Sequence, residues 1–592
     1  KTFLSFTATP FFMEILNHYF SEKTLIKLIA KYRVNVATKR HDFHILNDIR
    51  GKEIYKCPIE KIKKNTDEII MDIVPSRRSW IKFSDREKFK NASVKNITSI
   101  EKTILLYKRQ LKTNKSIIPS DWYTKLFYYI QDIRNSVIDI DNYIITPPRI
   151  IPEKKDKNNN KDNAYRPIAH YKLLKDKIII GQAAKYLTDM LDSEFCDTAS
   201  FAFRSKKDRN EAITHHDAIK RITDYKLEHN NNNNLWVAEC DIKKFYDCVN
   251  HKLAKESLFE IIKRAEEKGK RIDKRAIKIF ELYLESYSFV HDVFPLNKTS
   301  MKEIKGEYQW EETELIKNFY NDGINERIGV PQGGAISCLI ANLILDKVDR
   351  EVLQVETETD NDILYIRYCD DMIIIHPDKE KCIKALERYQ IALTKCNLLC
   401  HEPQNINKYD ANYWKFKSKS PYLWQKKSEG ESNVPWLSFV GYQIRYDGQI
   451  RIRRRSVEKE LKKQELLVQK TLKAIRFKDR KNLENNVRRS SRQIIYRVEQ
   501  KLISMSVGRI NLHNYLKNKS PQLSWTVGFK KLNKNIIIEK QLKSLDRGRT
   551  KQMNELRRKL KVLKKESSKG SDDIPNIYFG SPFSYHNFIL KK

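Results

Sequence analysis

The sequence predicts a mixed α/β fold, a strand-built centre between helical regions, on three observations. Two apolar, β-prone runs, Ile363-Leu364-Tyr365-Ile366 and Met372-Ile373-Ile374-Ile375, flank Tyr368-Cys369-Asp370-Asp371, which reads as a hairpin with two adjacent carboxylates at its tip. A further run, Leu235 to Cys240, reads as a buried strand that ends on Asp241. Around these strands, Lys172 to Phe195, Ala335 to Val348 and Lys379 to Leu399 carry apolar residues at helical spacing.

The remaining elements follow in chain order. Residues 1 to about 140 hold amphipathic, Lys-rich helical patterns without a recognisable site, and Pro147-Pro148 with the polar run Lys154 to Asn163 closes that region as a loop. Asn230 to Asn234 is a polar turn before the buried strand. Helical pattern then runs to about Ser288 and gives way to a hydrophilic insertion that lasts to about Gly323. After Trp436 a hairpin spans Leu437 to Ile452 with its turn at Asp447-Gly448, and Lys/Arg-rich helices follow from Val457 to about Leu516. Beyond Gln522 the chain is basic and helical to about Lys565, then rich in Ser and Gly, and it ends on an aromatic segment. No internal repeat is visible.

Composition narrows the function classes. The 592 residues include 114 Lys and Arg against 76 Asp and Glu, a formal charge of +38 that no acidic block offsets, so a polyanion is the natural partner. Arg451, Arg453, Arg454 and Arg455 fall within five residues and read as a phosphate-facing strand or helix start, or else as a solvated face. No apolar run approaches the roughly 20 residues that cross a bilayer, which excludes a helical membrane protein. Nine scattered cysteines, with no Cys-x-x-Cys pair and no secretory leader, fit a reducing, cytoplasmic location. Cys396, Cys400 and His401 lie close enough in sequence for a metal site, against the alternative that the cysteines fill the core.

The chemistry concentrates in three places. Adjacent carboxylates at Asp370 and Asp371 repel one another unless a cation lies between them, so the hairpin tip reads as a divalent-metal site. Asp241, rigidly held at a strand end, would complete a three-carboxylate cradle for two Mg²⁺ ions of the kind used for phosphoryl or nucleotidyl transfer; its competing reading is a helix cap. Gly329-Val330-Pro331-Gln332-Gly333-Gly334 precedes a helix, and its glycines let backbone approach a substrate while Gln332 can touch a base or sugar.

Taken in order, Asp241, the Gly329 loop and Tyr368 to Asp371 resemble the palm motifs of reverse transcriptases. Tyr165-Arg166-Pro167-Ile168, the helix with Lys177 to Ala183, and Ser200-Phe201-Ala202-Phe203-Arg204 with Arg209 look like the fingers motifs of bacterial group II intron-like members. Leu437-Ser438-Phe439-Val440-Gly441-Tyr442 is similar to their primer-grip hairpin. The resemblance covers roughly residues 140 to 516. It implies a right-hand polymerase: a helical N-terminal region at 1–140, helical fingers at 141–235, an α/β palm at 236–436 with an insertion near 289–323, a primer-grip hairpin and helical thumb at 437–516, and a basic tail at 517–592.

Carried over residue by residue, the resemblance makes Asp241, Asp370 and Asp371 the ligands of two Mg²⁺ ions, for which Mn²⁺ can substitute. It puts Tyr246 under the incoming sugar, Gln332 in the nucleotide pocket, and Arg166 and Lys172 on the triphosphate. Phe439 to Tyr442 become the primer grip, and Arg204, Arg209, Arg451, Arg453, Arg454 and Arg455 nucleic-acid contacts. An aromatic at Tyr246 would clash with a ribose 2′-OH and so favour deoxynucleotides; its other reading is a core aromatic beside Phe245. The family's lysine after the palm helix has no clean counterpart, and Lys408 and His401 are the candidates for that proton donor.

Within the family, no His-Asn-His pattern follows the thumb, the Asn-Ala-x-x-His and Val-Thr-Gly signatures of retron enzymes are missing, and nothing resembles an integrase. What remains looks like the defence-associated, unknown-group bacterial reverse transcriptases. The resemblance implies deoxynucleoside triphosphates as substrates, an RNA template or companion non-coding RNA, a DNA product, and a protein partner or second copy of the chain as further candidates. Tyr578 and Tyr585 in the aromatic tail leave room for a tyrosine primer. The alternative is an intron-type enzyme or maturase, or an RNA-binding splicing factor that does not need catalysis.

Overall fold

The computed structural model of the chain describes residues 10–49, 68–84, 92–154, 165–205, 213–229, 234–293, 327–355, 362–427, 433–479, 491–507, 525–532, 535–566 and 580–584. Arg209, Tyr578, Tyr585, most of the polar run after Lys154, and the insertion from residue 294 lie outside the described residues. By contacts the chain divides into two units, one of residues 1–25, 128–440 and 445–448, the other of 26–127, 441–444 and 449–592.

The first unit is built on a four-stranded antiparallel sheet. Its strands are β3 (Leu235–Asp241), β4 (Leu364–Tyr368), β5 (Asp371–His376) and β6 (Lys419–Trp424), in the spatial order β4-β5-β3-β6. The central strands are apolar because helices cover them, and Val237, Ile366, Ile373, Ile374 and Ile375 are fully buried. A smaller hairpin pairs β1 (Arg149–Lys154) with β2 (Tyr165–His170), setting Pro152 opposite Pro167. Neither β1 nor β6 was legible in the sequence, because prolines (Pro152, Pro421) break the apolar pattern. They are tolerated here since both strands of a two-stranded sheet are edges, and β6 is the edge of its sheet. The expected helical fingers therefore contain a small sheet.

Helix Ala335–Leu353 is the hub of this unit. It is apolar and largely buried from Ile336 to Leu345, with its charged residues gathered in the last two turns, and it packs on helices Leu174–Leu191, His251–Glu267 and Lys379–Lys395. Its two buried acids require partners. Asp346 receives Arg264 at 2.7 Å and Arg350 at 2.9 Å, and Asp349 receives Arg367 of β4 at 2.7 Å, with both side chains of that last pair wholly buried. Helix Pro10–Tyr19 joins the same unit through Tyr19, whose hydroxyl donates to Asp189 at 2.7 Å.

In the second unit, β8 (Tyr442–Arg445) and β9 (Ile450–Ile452) form the hairpin that Asp447-Gly448 was expected to turn, following β7 (Trp436–Phe439) of the first unit. Helices Arg454–Asp479, Ser491–Val507 and Ile536–Glu566 bury Val468, Ala474, Ile495, Val498, Leu502, Leu556 and Leu560 in one cluster. Gln541 of the last helix donates to Ile452 O at 2.7 Å and accepts from Ile452 N at 3.1 Å, covering the exposed edge of β9. The described end of the chain folds back on the same helix. Asp546 accepts from the amides of Phe583 and Ser584, each at 2.9 Å, and Phe583 is fully buried.

Removing one partner of a wholly buried ion pair leaves an uncompensated charge in the core. Asp349→Ala is therefore expected to destabilise the chain by about 3–5 kcal/mol, read as a lowered urea midpoint, whereas Asp349→Leu combined with Arg367→Met recovers most of the loss.

Candidate active site

The sheet brings the three predicted aspartates to one end. Asp241, the last residue of β3, pairs across the ladder with Asp371, the first residue of β5, and Tyr368 pairs with Asp371 on the other side. Asp370 occupies the two-residue turn between β4 and β5. Its neighbour Cys369 has φ 62°, a left-handed conformation that costs a non-glycine residue roughly 1 kcal/mol. Three contacts hold it there: the Cys369 side chain is buried, its thiol lies 3.1 Å from the Tyr246 hydroxyl, and its carbonyl accepts from Arg367 Nη1 at 3.1 Å.

Burial pushes the Asp241 carboxyl above its usual range and the charge of Asp370 adds to the rise, while Lys417 and Arg166 pull it back. Asp241 and Asp370 thus act on one another electrostatically. The cation in direct contact is Lys417, whose Nζ lies 3.6 Å from Asp241 Oδ2 and 2.8 Å from His401 Nε2. Among the described residues no three acidic, histidine or cysteine side chains stand close enough together to hold a metal ion. The aspartates supply hard oxygen donors suited to Mg²⁺ and share one end of the sheet, but their carboxylates do not converge on a point. The same holds for Cys396, Cys400 and His401: Cys396 points at Ile344 O, Cys400 lies against Cys240, and His401 faces Lys417, so no cysteine–histidine metal centre forms.

Tyr246 follows a sharp turn at Lys244, φ 45°. It is half-buried, whereas Phe245 is the buried core aromatic, so Tyr246 keeps part of its ring toward solvent near the aspartates. Burial, reinforced by Cys369, keeps its phenol protonated. The Gly329 loop is tied to the same segment. Val330 N donates to Tyr246 O at 2.7 Å, Gly329 N to Val249 O at 2.8 Å, and Gln332 Nε2 to Asp247 Oδ1 at 2.8 Å. Gly329 has φ 82° and a Cβ there would meet Phe289 at 2.6 Å; a Cβ on Gly334 would meet the Tyr283 hydroxyl at 1.7 Å. These two glycines are required by contact. Gln332 also bridges to Ile168 of β2, which brings the strand carrying Arg166 beside the loop. Arg166 is exposed and bears on Asp241; Lys172 is exposed just after β2.

Arg204, expected on a nucleic-acid surface, is a correction. Its guanidinium is wholly buried, bound to Asp192 at 2.8 Å and Asp197 at 2.5 Å and to the carbonyl of Ser200 at 2.9 Å, so it fixes a turn and has no face for phosphate. Of the expected primer grip, Phe439 and Tyr442 are buried, and Val440 and Gly441 take positive φ of 39° and 89°. Arg451 bonds Gln443 at 2.8 Å, Arg453 is half-buried, and Arg454 and Arg455 are exposed on the first turn of their helix, Arg454 paired with Glu458. Of the two proton-donor candidates, His401 stands 3.9 Å from Asp241 Oδ2 and Lys408 is exposed on the following loop.

Sequence reasoning missed Arg367, Asp349 and Lys417. For Arg367 a signal existed: a lone cation inside a buried strand must have a buried acid to meet, and Asp346 and Asp349 on an otherwise apolar helix were the candidates.

His251 supplies a pH-dependent clasp on the loop. Its Nε2 donates to Gly329 O at 2.6 Å, and burial lowers its pKa from 6.5 to about 4. A depressed folded-state pKa means that the unfolded chain takes up the proton first, so the stability tied to neutral His251 is complete above pH 6.5 and is lost as pH falls toward 4. Urea midpoints across that window should fall more steeply for the parent chain than for His251→Gln; equal slopes would exclude the clasp.

Residues 153–402, a span that contains Asp241, the Gly329 loop and the acidic turn, match the family model described as reverse transcriptase (RNA-dependent DNA polymerase). No curated protein matches the chain. Among solved structures the chain is similar to telomerase from Candida albicans in complex with a TWJ fragment of telomeric RNA, at 12% identity over 84% of this chain and 77% of that one, with a TM-score of 0.33. It is also similar to apo telomerase from Candida tropicalis, at 14% identity over 92% and 88% of the two chains, TM-score 0.34. The chain therefore carries, over residues 153–402, the reverse transcriptase domain of an RNA-directed DNA polymerase, a nucleotidyltransferase.

Proposed function

We propose that the chain copies an RNA template by two-metal nucleotidyl transfer from deoxynucleoside triphosphates, with Asp241, Asp370 and Asp371 as the metal ligands. The observation that carries this reading is the cross-strand pairing of Asp241 with Asp371 at the sheet end where Asp370 raises the Asp241 pKa. Reverse transcriptases as a family use divalent metal ions, and Mg²⁺ or Mn²⁺ held by these carboxylates would supply positive charge to the attacking and leaving oxygens. The chain's own residues do the rest. Arg166, exposed beside Asp241, binds the triphosphate together with Lys172. Gln332, oriented by Asp247, lines the nucleotide pocket, and the half-buried ring of Tyr246 fills the space that a 2′-OH would need.

The basic residues serve the template and product. Arg454 and Arg455 sit on the first turn of a helix that has no acid there, where the helix dipole disfavours cations and welcomes an anion; a phosphate reverses that penalty. The turn at Val440-Gly441, with positive φ at both residues, guides the primer. We place the enzyme in the bacterial group II intron-like lineage, acting in the cytoplasm in antiviral defence with a companion RNA; the motifs read in the sequence support this assignment.

Asp370→Asn, which keeps the turn's shape but removes a negative ligand, should lower Mg²⁺-dependent deoxynucleotide incorporation on an RNA template by about 100-fold or more without moving the urea midpoint. The same variant should leave cells carrying the locus sensitive to phage that the parent resists. Full incorporation by the folded variant overturns the site assignment, and protection by it overturns the defence role alone.

Tyr246 offers a separate test. Tyr246→Ala should reduce discrimination against ribonucleotides by about 10- to 200-fold, whereas Tyr246→Phe, which keeps the ring and loses only the bond to Cys369, should discriminate as the parent does. Competition between deoxynucleotide and ribonucleotide triphosphates in one extension assay reads both.

A further inference from the structure

Two carboxylates of β3 face lysines at the start of β6. Glu239 pairs across the ladder with Lys419, where the pairing of the two strands ends; beyond it the backbone of Asp241 accepts from His401 N at 2.9 Å, and Lys417 reaches Asp241 by its side chain alone. The inner rung, Glu239 with Lys419, and the outer one, Asp241 with Lys417, differ in how they are closed. The inner rung is closed: Lys419 Nζ lies 2.6 Å from Glu239 Oε2, its side chain is 7% exposed, and Tyr422 donates to the same carboxylate. The outer rung is open. Lys417 Nζ lies 3.6 Å from Asp241 Oδ2 with its side chain 59% exposed, and Ser418 Oγ fixes the backbone between the rungs by accepting from Asp241 N at 3.0 Å.

An ammonium can only donate hydrogen bonds, so His401 Nε2, 2.8 Å from Lys417 Nζ, accepts and carries no proton. His401 thereby steadies the lysine from behind, and both stand within 4 Å of one Asp241 oxygen. A second cation cannot occupy that side of Asp241 while the ammonium is there, because two like charges would share one carboxylate oxygen.

We infer that Lys417 is a tethered counter-cation, which a divalent ion must displace from Asp241, so that it sets the ion concentration at which the site loads. This rests on the reading of Asp241 as a metal ligand. The inner rung shows what the outer one would be if it were only structural: buried, short and closed by further donors. The openness of the outer rung lets the lysine swing into water, and an exposed pair of this kind is weak enough to yield, worth about two- to five-fold in a competing equilibrium.

Mn²⁺ binding to the full chain, followed by electron paramagnetic resonance, tests this directly. Lys417→Met should tighten Mn²⁺ binding about two- to five-fold, and Lys417→Arg should restore the parent affinity. Lys415→Met, which removes an equal charge from a lysine bound to Asn412 at 2.9 Å, should change it little and so exclude a general loss of repulsion. Asp241→Asn should abolish this binding with either residue at 417. If Asp241→Asn abolishes binding yet Lys417→Met leaves affinity unchanged or weaker, the counter-cation is refuted while the metal site stands. A slower polymerisation rate at unchanged affinity would make Lys417 a proton donor instead. If Asp241→Asn leaves Mn²⁺ binding intact, the site reading itself fails and the inference falls with it.

Discussion

The bidentate pair between Arg367 and Asp349 is the contact on which the active end of the sheet depends. Nε and Nη2 of the guanidinium each meet a carboxylate oxygen, at 2.8 and 2.7 Å, and Nη1 reaches both Asn342 Oδ1 and Cys369 O. Tyr365 donates to the same carboxylate at 2.8 Å. Asn342 in turn holds Ser200 and the carbonyl of Ala202. One buried cation thereby registers the central helix, the strand that leads into the acidic turn, and the segment that follows helix Leu174–Leu191. Apolar residues of similar volume could match its stability, but they could not specify that register, because grease tolerates sliding and a forked hydrogen-bond donor does not.

That rigidity is spent on the turn. Cys369 in a left-handed conformation would relax if its carbonyl and side chain were free, and the contacts that prevent this come from Arg367 on its carbonyl and Tyr246 on its thiol. Tyr246 also receives Val330 N on its carbonyl, so the aromatic, the glycine loop and the acidic turn form one connected unit. The residue assigned to sugar choice is thus anchored to the residues assigned to metal binding, which fixes their spacing to the precision that a nucleotide demands.

How much of this could be read from the sequence depended on the range of the interactions involved. Asp241, the hairpin and the helix at Ala335 were visible because alternation, turn chemistry and helical spacing are local signals. The glycine loop was visible for its composition, though the need for Gly329 and Gly334 comes from Phe289 and Tyr283, 40 and 51 residues earlier. Arg204 was misread for the complementary reason. Beside Phe203 and before two lysines it looks like a surface cation, and only the fold reveals that Asp192 and Asp197 enclose it. β6 and Lys417 were invisible, since a strand reading Lys-Ser-Pro-Tyr-Leu-Trp has no alternation and its meaning lies in the strand it pairs with.

The carboxylates are placed close but not together, and this follows from their charge. Three acids converging with no cation between them would raise one another's pKa and favour uptake of a proton. Two features limit that cost: strand pairing sets Asp241 and Asp371 side by side through backbone bonds that are indifferent to charge, and Lys417 places an ammonium 3.6 Å from the half-buried Asp241. Backbone thus fixes position while side chains remain adjustable, so that on the proposed reading a bound ion would bring the carboxylates together. The net charge of +38 contributes nothing to this local balance, because screening at physiological salt over about 8 Å removes distant lysines from the sum. A charge of that size suits a polyanion along the whole chain, whereas the few cations within contact distance of Asp241 decide the balance at the sheet end.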